Sequence, residues 1–458
     1  MNIWKKSNLE KALGLHLKTD QEYFGKIEFN SKQIKENDIF IALKEGQGDG
    51  HNYIQDAFER GAALAIVENY IDINQNKQVL VKNSLDSLYL LAEYKRKNTS
   101  ATIIAITGSI GKTSFKEILF QILGNFGRTF CSYKNFNNYI GVPLNLASMP
   151  EDIDYAIFEI GMNHGNEIRP LVKILKPEIA IITSISPVHI ENFHSMKELT
   201  DAKLEIFDSF NQNNIAILPR DSEYFSYTKT ALEKKSISNI YSFGSNSESV
   251  VQYLNYRQSF YESSFDIKIL GKQFHLKTSM SGMHQASNIS GALCCISSIS
   301  LDIQKSLDSL VNIIPLEGRG NLIHTNFQGK NFTIINDAYN ASPESVKASL
   351  LNYKYSDAKN KALILGDMRE LGDDSIKYHE NLASFVLESE IKIFIAIGSL
   401  MKYLFNKLEG TEINCFYFED VDSCIGNVKD ILSNSESVLI KASNGIKLYK
   451  IVEYLKNS

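Results

Sequence analysis

The chain is short of cysteine, of arginine, of net positive charge and of long apolar runs, and each scarcity removes a class of function. Its five cysteines, Cys131, Cys294, Cys295, Cys415 and Cys424, form an odd set with no CxxC spacing and no clustered histidines. That argues against a disulfide framework and a structural zinc site. Lys and Arg total 48 against 53 Asp and Glu, a net charge of −5, so no basic excess advertises nucleic-acid binding. Only 8 of those 48 cations are arginine, and what that skew means depends on the sites where they sit. No stretch approaches the ~18 apolar residues that a membrane helix needs. The N-terminal MNIWKKSNLEKALG has no apolar core ahead of a small-residue cleavage site, so a soluble cytoplasmic protein is expected. Internal repeats and low-complexity linkers are also absent, and nothing demands an oligomer, so a monomer is expected.

What is present is a globular composition, 43% hydrophobic and 22% charged, which excludes a wholly disordered chain. At ~150 residues per domain, 458 residues imply about three domains. The fold class expected is α/β in three parts. Residues 1–85 form a small α/β unit with strands in DIFIAL (38–43) and AALAIVE (62–68) around a Gly-rich loop, KEGQGDGH (44–51). Residues 86–314 carry ATIIAIT (101–107), DYAIFEIG (154–161), EIAIITSI (178–185) and NIAILP (214–219), with helical stretches between them. Buried-type strands alternating with helices imply a mostly parallel sheet covered on both faces. The stretch 237–280 alternates and should be locally antiparallel. Residues 315–458 add five strands separated by helices, at 333–339, 361–367, 392–398, 413–419 and 437–443, a second open, Rossmann-like α/β unit.

The strongest local signal is Thr107-Gly108-Ser109-Ile110-Gly111-Lys112-Thr113, between an apolar strand and a helix with apolar residues at helical spacing. Glycines let backbone N–H groups converge on a phosphate at the positive end of the following helix. Lys112 would neutralise the β- and γ-phosphates, and the Thr113 hydroxyl would reach Mg²⁺. The strict form of this loop has a further glycine where this chain has Ile106. The strand–loop–helix context favours phosphate binding over a plain glycine-rich turn.

Glu159 ends an apolar strand, where a lone carboxylate is expensive to bury unless the strand end opens onto a ligand. His189 follows the next strand, and Lys203 lies on the helix MKELTDAKLEIF. Singly, each has a structural explanation: a buried ion pair, a satisfied loop histidine, a solvated helix face. Together, downstream of a phosphate loop, they fit a magnesium–ATP site. KNFNNYIGVPLNL (134–146) adds Asn135, Asn137 and Asn138, which suit a sugar-phosphate or peptide ligand and equally suit an Asx-turn loop.

In these residues and in longer segments around them, the chain closely resembles the Mur ligases, ATP-dependent amide-forming enzymes of peptidoglycan precursor synthesis. The resemblance runs through TGSIGKTS (107–114), KNFNNYIGVPLNL, FEIGMNHGNEI (158–168) and TSISPVHIENFHSMKELTDAKLEIF (183–207). It continues through EGRGN (317–321), INDAYNASPESVKASL (335–350) and LGDMRELG (365–372). Within the family it is similar to the members that add D-alanyl-D-alanine to UDP-N-acetylmuramoyl-tripeptide. The resemblance implies that residues 1–85 bind the uridine nucleotide, 86–314 bind ATP, and 315–458 bind the incoming dipeptide. It implies that Gly108 to Thr113 hold the ATP phosphates and that Thr113, Glu159 and His189 serve Mg²⁺, with Lys203 as a carbamate ligand. Asn288 and Arg319 match adenine- and ribose-side contacts. Asp337, Tyr339 and Asn340 match the C-terminal contribution to the nucleotide. Ser31 falls at a substrate-side position. Lys441 and Ser443 close the strand SVLIKAS, and because ligands of open α/β sheets bind beyond strand carboxyl ends they are expected to meet the dipeptide, with Lys441 pairing a carboxylate; the alternative is that Lys441 merely snorkels at the strand end.

Two departures stand out: Asn30-Ser31-Lys32 replaces the commoner Asp-Ser-Arg, and Lys441-Ala442-Ser443-Asn444 replaces Lys-Gly-Ser-Arg. The carbamate also has a physical rationale. An ammonium ~4 Å from Mg²⁺ would cost about 8 kcal/mol at an effective dielectric of ~20, whereas carbamylation reverses the sign and supplies oxygen ligands. The reaction implied passes through an acyl phosphate, with Lys112, His189 and Lys203 in the catalytic set. Another amino-acid-adding ligase of the same fold, or a nucleotide-binding scaffold without turnover, are the alternatives.

Overall fold

The structure, a computed structural model, describes residues 2–457 apart from 134, 135, 188, 189, 261, 312 and 314. Four short apolar strands, Ile27–Glu28 (β1), Ile39–Ile41 (β2), Leu64–Val67 (β3) and Gln78–Leu80 (β4), pair in parallel in that order. Helix Ser84–Lys97 (α1) leads away from this sheet. Its start is capped by the Asn83 side chain, which accepts from the Asp86 N–H at 2.8 Å.

The second sheet is built around Thr102–Thr107 (β5). Helix Lys112–Leu123 (α2), strand Thr129–Cys131 (β6), helix Gly141–Ala147 (α3), strand Tyr155–Glu159 (β7), strand Ile179–Ile182 (β8) and helix Met196–Leu204 (α4) follow. Strands Ile215–Pro219 (β9), Ile240–Gly244 (β10), Val251–Gln258 (β11), Ser263–Ile269 (β12) and Lys272–Thr278 (β13) complete it. The order is β6-β7-β5-β8-β9-β10-β11-β12-β13, parallel as far as β11 and antiparallel beyond it.

Alternation along β5 explains its central place. Ile103 and Ala105 enter one hydrophobic core, while Ile104 and Ile106 enter the other with Phe115, Ile118 and Ile122 of α2. Helix Met283–Ser298 (α5) packs on that second face. A strand buried on both sides has no polar face to show, which is why it reads as an unbroken apolar run.

The third sheet consists of Asn321–Phe327 (β14), Lys330–Asp337 (β15), Lys361–Gly366 (β16), Ile393–Ile397 (β17), Asn414–Phe418 (β18) and Ser437–Lys441 (β19). Its order is β14-β15-β19-β16-β17-β18, with only the β14–β15 pair antiparallel. The sequence predicts five strands here and the structure has six. β14 (NLIHTNF) is a half-exposed edge strand, so it lacks the apolar run that marks the other five. Among the described residues, no helix is long and apolar enough to cross a membrane.

A buried aromatic helps fasten the second sheet to the third. Phe260, at the turn between β11 and β12, is buried in the C-terminal core with Val346 and Leu350, its ring 6.0 Å from that of Tyr353. Beside it the Ser281 hydroxyl donates to Asn352 Oδ1 at 2.8 Å. Removing a buried Phe side chain costs about 3–5 kcal/mol. Phe260→Ala should therefore lower the unfolding temperature of the C-terminal sheet and separate it from that of the rest. Calorimetry checks this: one unshifted transition would show that the ring does not couple the two sheets.

Candidate active site

The strand-to-helix turn after β5 has the expected form. Gly108 (φ 149°) and Gly111 (φ 86°) occupy left-handed backbone, and a Cβ on Gly108 would collide with Thr183 Oγ1. A Cβ on Gly111 would lie 2.8 Å from Asn288 Oδ1, so both glycines are required by close approach as well as by φ. Ser109 N–H donates to Ser184 O at 2.9 Å and Ile110 N–H to Ser184 Oγ at 2.9 Å, pinning the loop to the segment after β8. Lys112 Nζ closes back on Gly108 O at 2.7 Å. Desolvation lowers its pKa; Glu159 opposes that shift and Arg319 adds to it.

Thr113 is the junction of the site. Its hydroxyl donates to Glu159 Oε2 at 2.9 Å, and Arg319 Nη2 donates to Thr113 Oγ1 at 3.1 Å. Glu159, only 2% exposed, also accepts from Asn137 Nδ2 at 2.9 Å, and its own N–H donates to Ser132 Oγ. Asn137 thus ties the Asn-rich segment to the buried carboxylate. Phe136 next to it packs 5.7 Å from Phe29, just after β1, which brings the N-terminal sheet to the same segment. Asn138 does something else: its Oδ1 accepts from the N–H groups of Ile140 and Gly141 and starts α3, so there the Asx-turn alternative is the one realised. Asn145, which the sequence reading passed over, braces the loop by accepting from Tyr133 N–H and donating to Phe136 O. Asn135 and His189 lie outside the described residues.

Lys203, 2% exposed near the end of α4, has no hydrogen-bond or ion-pair partner for its ammonium among the described residues. Desolvation, and then the Lys112 charge, hold its pKa well below the ordinary lysine range. An uncharged amine is the form that adds CO₂. The donor set of a Thr hydroxyl and a buried carboxylate suits a hard cation, which takes oxygen ligands.

On α5, Asn288 Nδ2 and Gln285 Oε1 are buried without partners among the described residues. Gln285 lines a small cleft beside α2 of mixed character, with Ser114, Glu117, Met280, Leu316 and Arg319, while Asn288 lies against Gly111 of the phosphate loop. An orphaned acceptor and an orphaned donor are the kind of groups a polar ligand satisfies. Gln285 escaped notice because an amide on an apolar helix carries no motif of its own.

Arg319 stacks on Tyr339, 4.3 Å from the ring centroid, so these two reach the phosphate loop together. Asp337 and Asn340 are engaged elsewhere. Lys441 Nζ, 3% exposed as a residue, donates to Asp337 Oδ2 at 2.7 Å and to Asn340 O at 2.9 Å. The Ser443 hydroxyl accepts from Arg369 N–H at 2.9 Å. Both lie at the predicted strand end, but neither presents a free polar group there. Ser31 is buried in the N-terminal unit beside Asp56, whose pKa the Ser31 hydroxyl and then Arg60 lower.

Three sheets, a phosphate loop and a buried carboxylate bridged by one hydroxyl define an α/β nucleotide-phosphate enzyme. Comparison with known proteins narrows the class. Residues 106–296 match the Mur ligase middle domain, and residues 318–444 the Mur ligase, glutamate ligase domain. The chain is 41% identical to the UDP-N-acetylmuramoyl-tripeptide–D-alanyl-D-alanine ligase of Rickettsia prowazekii, over 99% of each chain. A crystal structure of MurF from Acinetobacter baumannii superposes with a TM-score of 0.87 at 25% identity, over 99% of each chain. MurF ligase from Thermotoga maritima in complex with ADP gives 0.77 at 25% identity, over 94% of this chain and 97% of that one. The chain belongs to the Mur ligase family.

Removing one partner of a buried ion pair costs about 3–5 kcal/mol, because the other charge is left unpaired. Lys441→Ala should therefore lower the melting temperature, and adding Asp337→Asn should restore part of the loss. Thermal unfolding of the two single variants and the double variant decides it; strictly additive losses would show that the pair is not coupled.

Proposed function

We propose that this chain is the ATP-dependent ligase that joins D-alanyl-D-alanine to UDP-N-acetylmuramoyl-tripeptide, giving the pentapeptide, ADP and phosphate in peptidoglycan precursor synthesis. The observation that carries the reading is the Thr113 hydroxyl held between Glu159 and Arg319 at the end of a phosphate loop. It is supported by the 41% identity to a ligase named for that reaction. Residues 1–85 are proposed to hold the uridine nucleotide, with Ser31 at its contact, 86–314 the ATP, and 315–458 the dipeptide. The enzyme's proposed place is the cytoplasm, where ATP and nucleotide-linked precursors occur.

In this reading the terminal carboxylate oxygen of the tripeptide attacks the γ-phosphorus, the bond to ADP breaks, and an acyl phosphate forms. The dipeptide amine then attacks the acyl carbon, loses a proton, and inorganic phosphate leaves. The chemistry needs alignment and charge neutralisation rather than a protein nucleophile. Lys112 neutralises the transferred phosphoryl group, Gly108 to Gly111 cradle phosphate through backbone N–H groups, and Arg319 brings positive charge from the C-terminal side. Asn288 and Gln285 hold the base edge, and Tyr339 supports the Arg319 plane. Thr113, Glu159, His189 and Lys203 as its carbamate would hold Mg²⁺, which when bound supplies Lewis-acid stabilisation of phosphoryl charge.

Phosphate release should require both UDP-N-acetylmuramoyl-tripeptide and D-alanyl-D-alanine. Release with a different amino-acid acceptor would instead make it another ligase of the fold, and no release with any acceptor would leave a nucleotide-binding scaffold. Lys112→Ala should fold normally and lose turnover, since among the described residues its ammonium hydrogen-bonds only to its own loop; full turnover in that variant would falsify the phosphate role.

Lys203→Ala should be nearly inactive, with partial rescue by short carboxylic acids that supply the missing oxygens. Bicarbonate should support only the wild type. Intact-mass measurement of active enzyme showing unmodified Lys203 would remove the carbamate from the mechanism.

A further inference from the structure

The incoming dipeptide carries one carboxylate that takes no part in the reaction, and something must recognise it. Ligands of open α/β sheets bind beyond the carboxyl ends of the strands. In the C-terminal sheet, the adjacent strands β19 and β16 end at Lys441 and Gly366. The obvious cation there, Lys441, is buried and bonded to Asp337 and to Asn340 O. The next cation along is Arg369.

Arg369 follows β16 in the loop Gly366-Asp367-Met368-Arg369 and is exposed. No carboxylate pairs with its guanidinium among the described residues, although its backbone is fixed at three successive positions. Asp367 Oδ1 accepts from Met401 N–H at 2.8 Å, and Asp367 O accepts from Ser443 N–H at 3.2 Å. Met368 N–H donates to Nε2 of the fully buried His379 at 3.0 Å, and the other ring nitrogen of His379 lies 2.6 Å from Ser375 O. Arg369 N–H donates to Ser443 Oγ. The side chain then lies across Gly445, where any Cβ would overlap the guanidinium. Residue 445 is therefore a glycine cradle for an arginine plane.

The loop also touches the central unit. At its far end Gly372 meets Glu191, in the short helical turn after β8, a Cβ on Gly372 lying 3.0 Å from Glu191 Cβ. The guanidinium thus lies at Gly445, just beyond the strand ends of the C-terminal sheet, and three residues further on the same loop meets the segment that follows β8. A planar, permanently charged fork on a rigid backbone, with no carboxylate partner among the described residues, is suited to a bidentate contact with one carboxylate.

We propose that Arg369, cradled by Gly445 and held by Asp367, His379 and Ser443, binds the free carboxylate of the incoming dipeptide and makes the enzyme selective for an acceptor with an unblocked C-terminus. The assignment rests on the ligase reading above. Loss of a charge-assisted bidentate contact weakens binding by about 10- to 100-fold.

The test measures steady-state phosphate release from wild type, Arg369→Ala and Arg369→Lys, using D-alanyl-D-alanine and its C-terminal amide as acceptors. Wild type should prefer the free acid over the amide by at least about tenfold. Arg369→Ala should raise KM for the acid to that for the amide, leave both amide kinetics and KM for ATP within about twofold, and fold normally. Arg369→Lys should recover part of the preference, because one charged contact remains. A wild type without preference, an alanine variant that keeps it, or a change confined to KM for ATP or tripeptide overturns the assignment. A wild type that releases no phosphate with both substrates overturns the ligase reading instead, and the two failures are told apart before any variant is made.

Discussion

One hydroxyl holds the site together. Thr113 belongs to the phosphate loop, its acceptor Glu159 lies 46 residues away on β7, and its donor Arg319 lies 206 residues away at the entry to the C-terminal sheet. A neutral hydroxyl can donate once and accept twice, so it can serve a carboxylate and a guanidinium without choosing between them. A carboxylate and a guanidinium in direct contact would neutralise one another. With the hydroxyl between them the two groups do not pair with each other, which leaves Glu159 available to the proposed cation and Arg319 to the proposed phosphate. That separation is what lets both sit within one small volume of the protein.

The surrounding fold serves to bring those three residues together. β5 and β7 are direct neighbours, in a register that sets Glu159 opposite Ile106. The phosphate loop and the carboxylate therefore emerge at the same level of the sheet. Apolar residues on both faces of β5 resist any slip, because a shift of one residue would exchange the two cores. The C-terminal side has no such register to rely on. It is located by Phe260 in the C-terminal core, by the Ser281–Asn352 bond, and by the Arg319–Thr113 bond.

How much of this can be read in the chain follows from the range of each interaction. The phosphate loop is local: a buried strand, two constrained glycines and an amphipathic helix lie within about 20 residues, and periodicity is enough to find them. The family resemblance extends the reading to residues whose types alone say little, such as Asn288 and Arg319. Pairings across the chain remain out of reach of either. Nothing in the spacing tells that Lys441 is held by Asp337, 104 residues earlier, so its position at a strand end suggested a ligand contact when its ammonium is already bonded. Asn138 was equally ambiguous, since an Asn before a helix start and an Asn facing a ligand have the same sequence. β14 was missed because an exposed edge strand needs no apolar alternation.

The buried lysines make the same point through their partners. Lys95 donates to Ile3 O at 2.7 Å and lies over the Trp4 ring; Lys361 donates to Lys354 O; Lys441 has Asp337. In each case a carbonyl or carboxylate offsets the loss of water, as a buried ammonium requires. Lys203 is as deeply buried as any of them and has no such partner among the described residues. A fold that satisfies its other buried ammoniums and leaves this one beside Lys112 has placed an amine where the charged form is disfavoured from two directions. Stability gives no reason for that arrangement, because an apolar side chain of similar volume would be cheaper to bury. The proposed carbamate supplies one: a group that becomes an anion by taking up CO₂ would turn the repulsion from Lys112 into attraction.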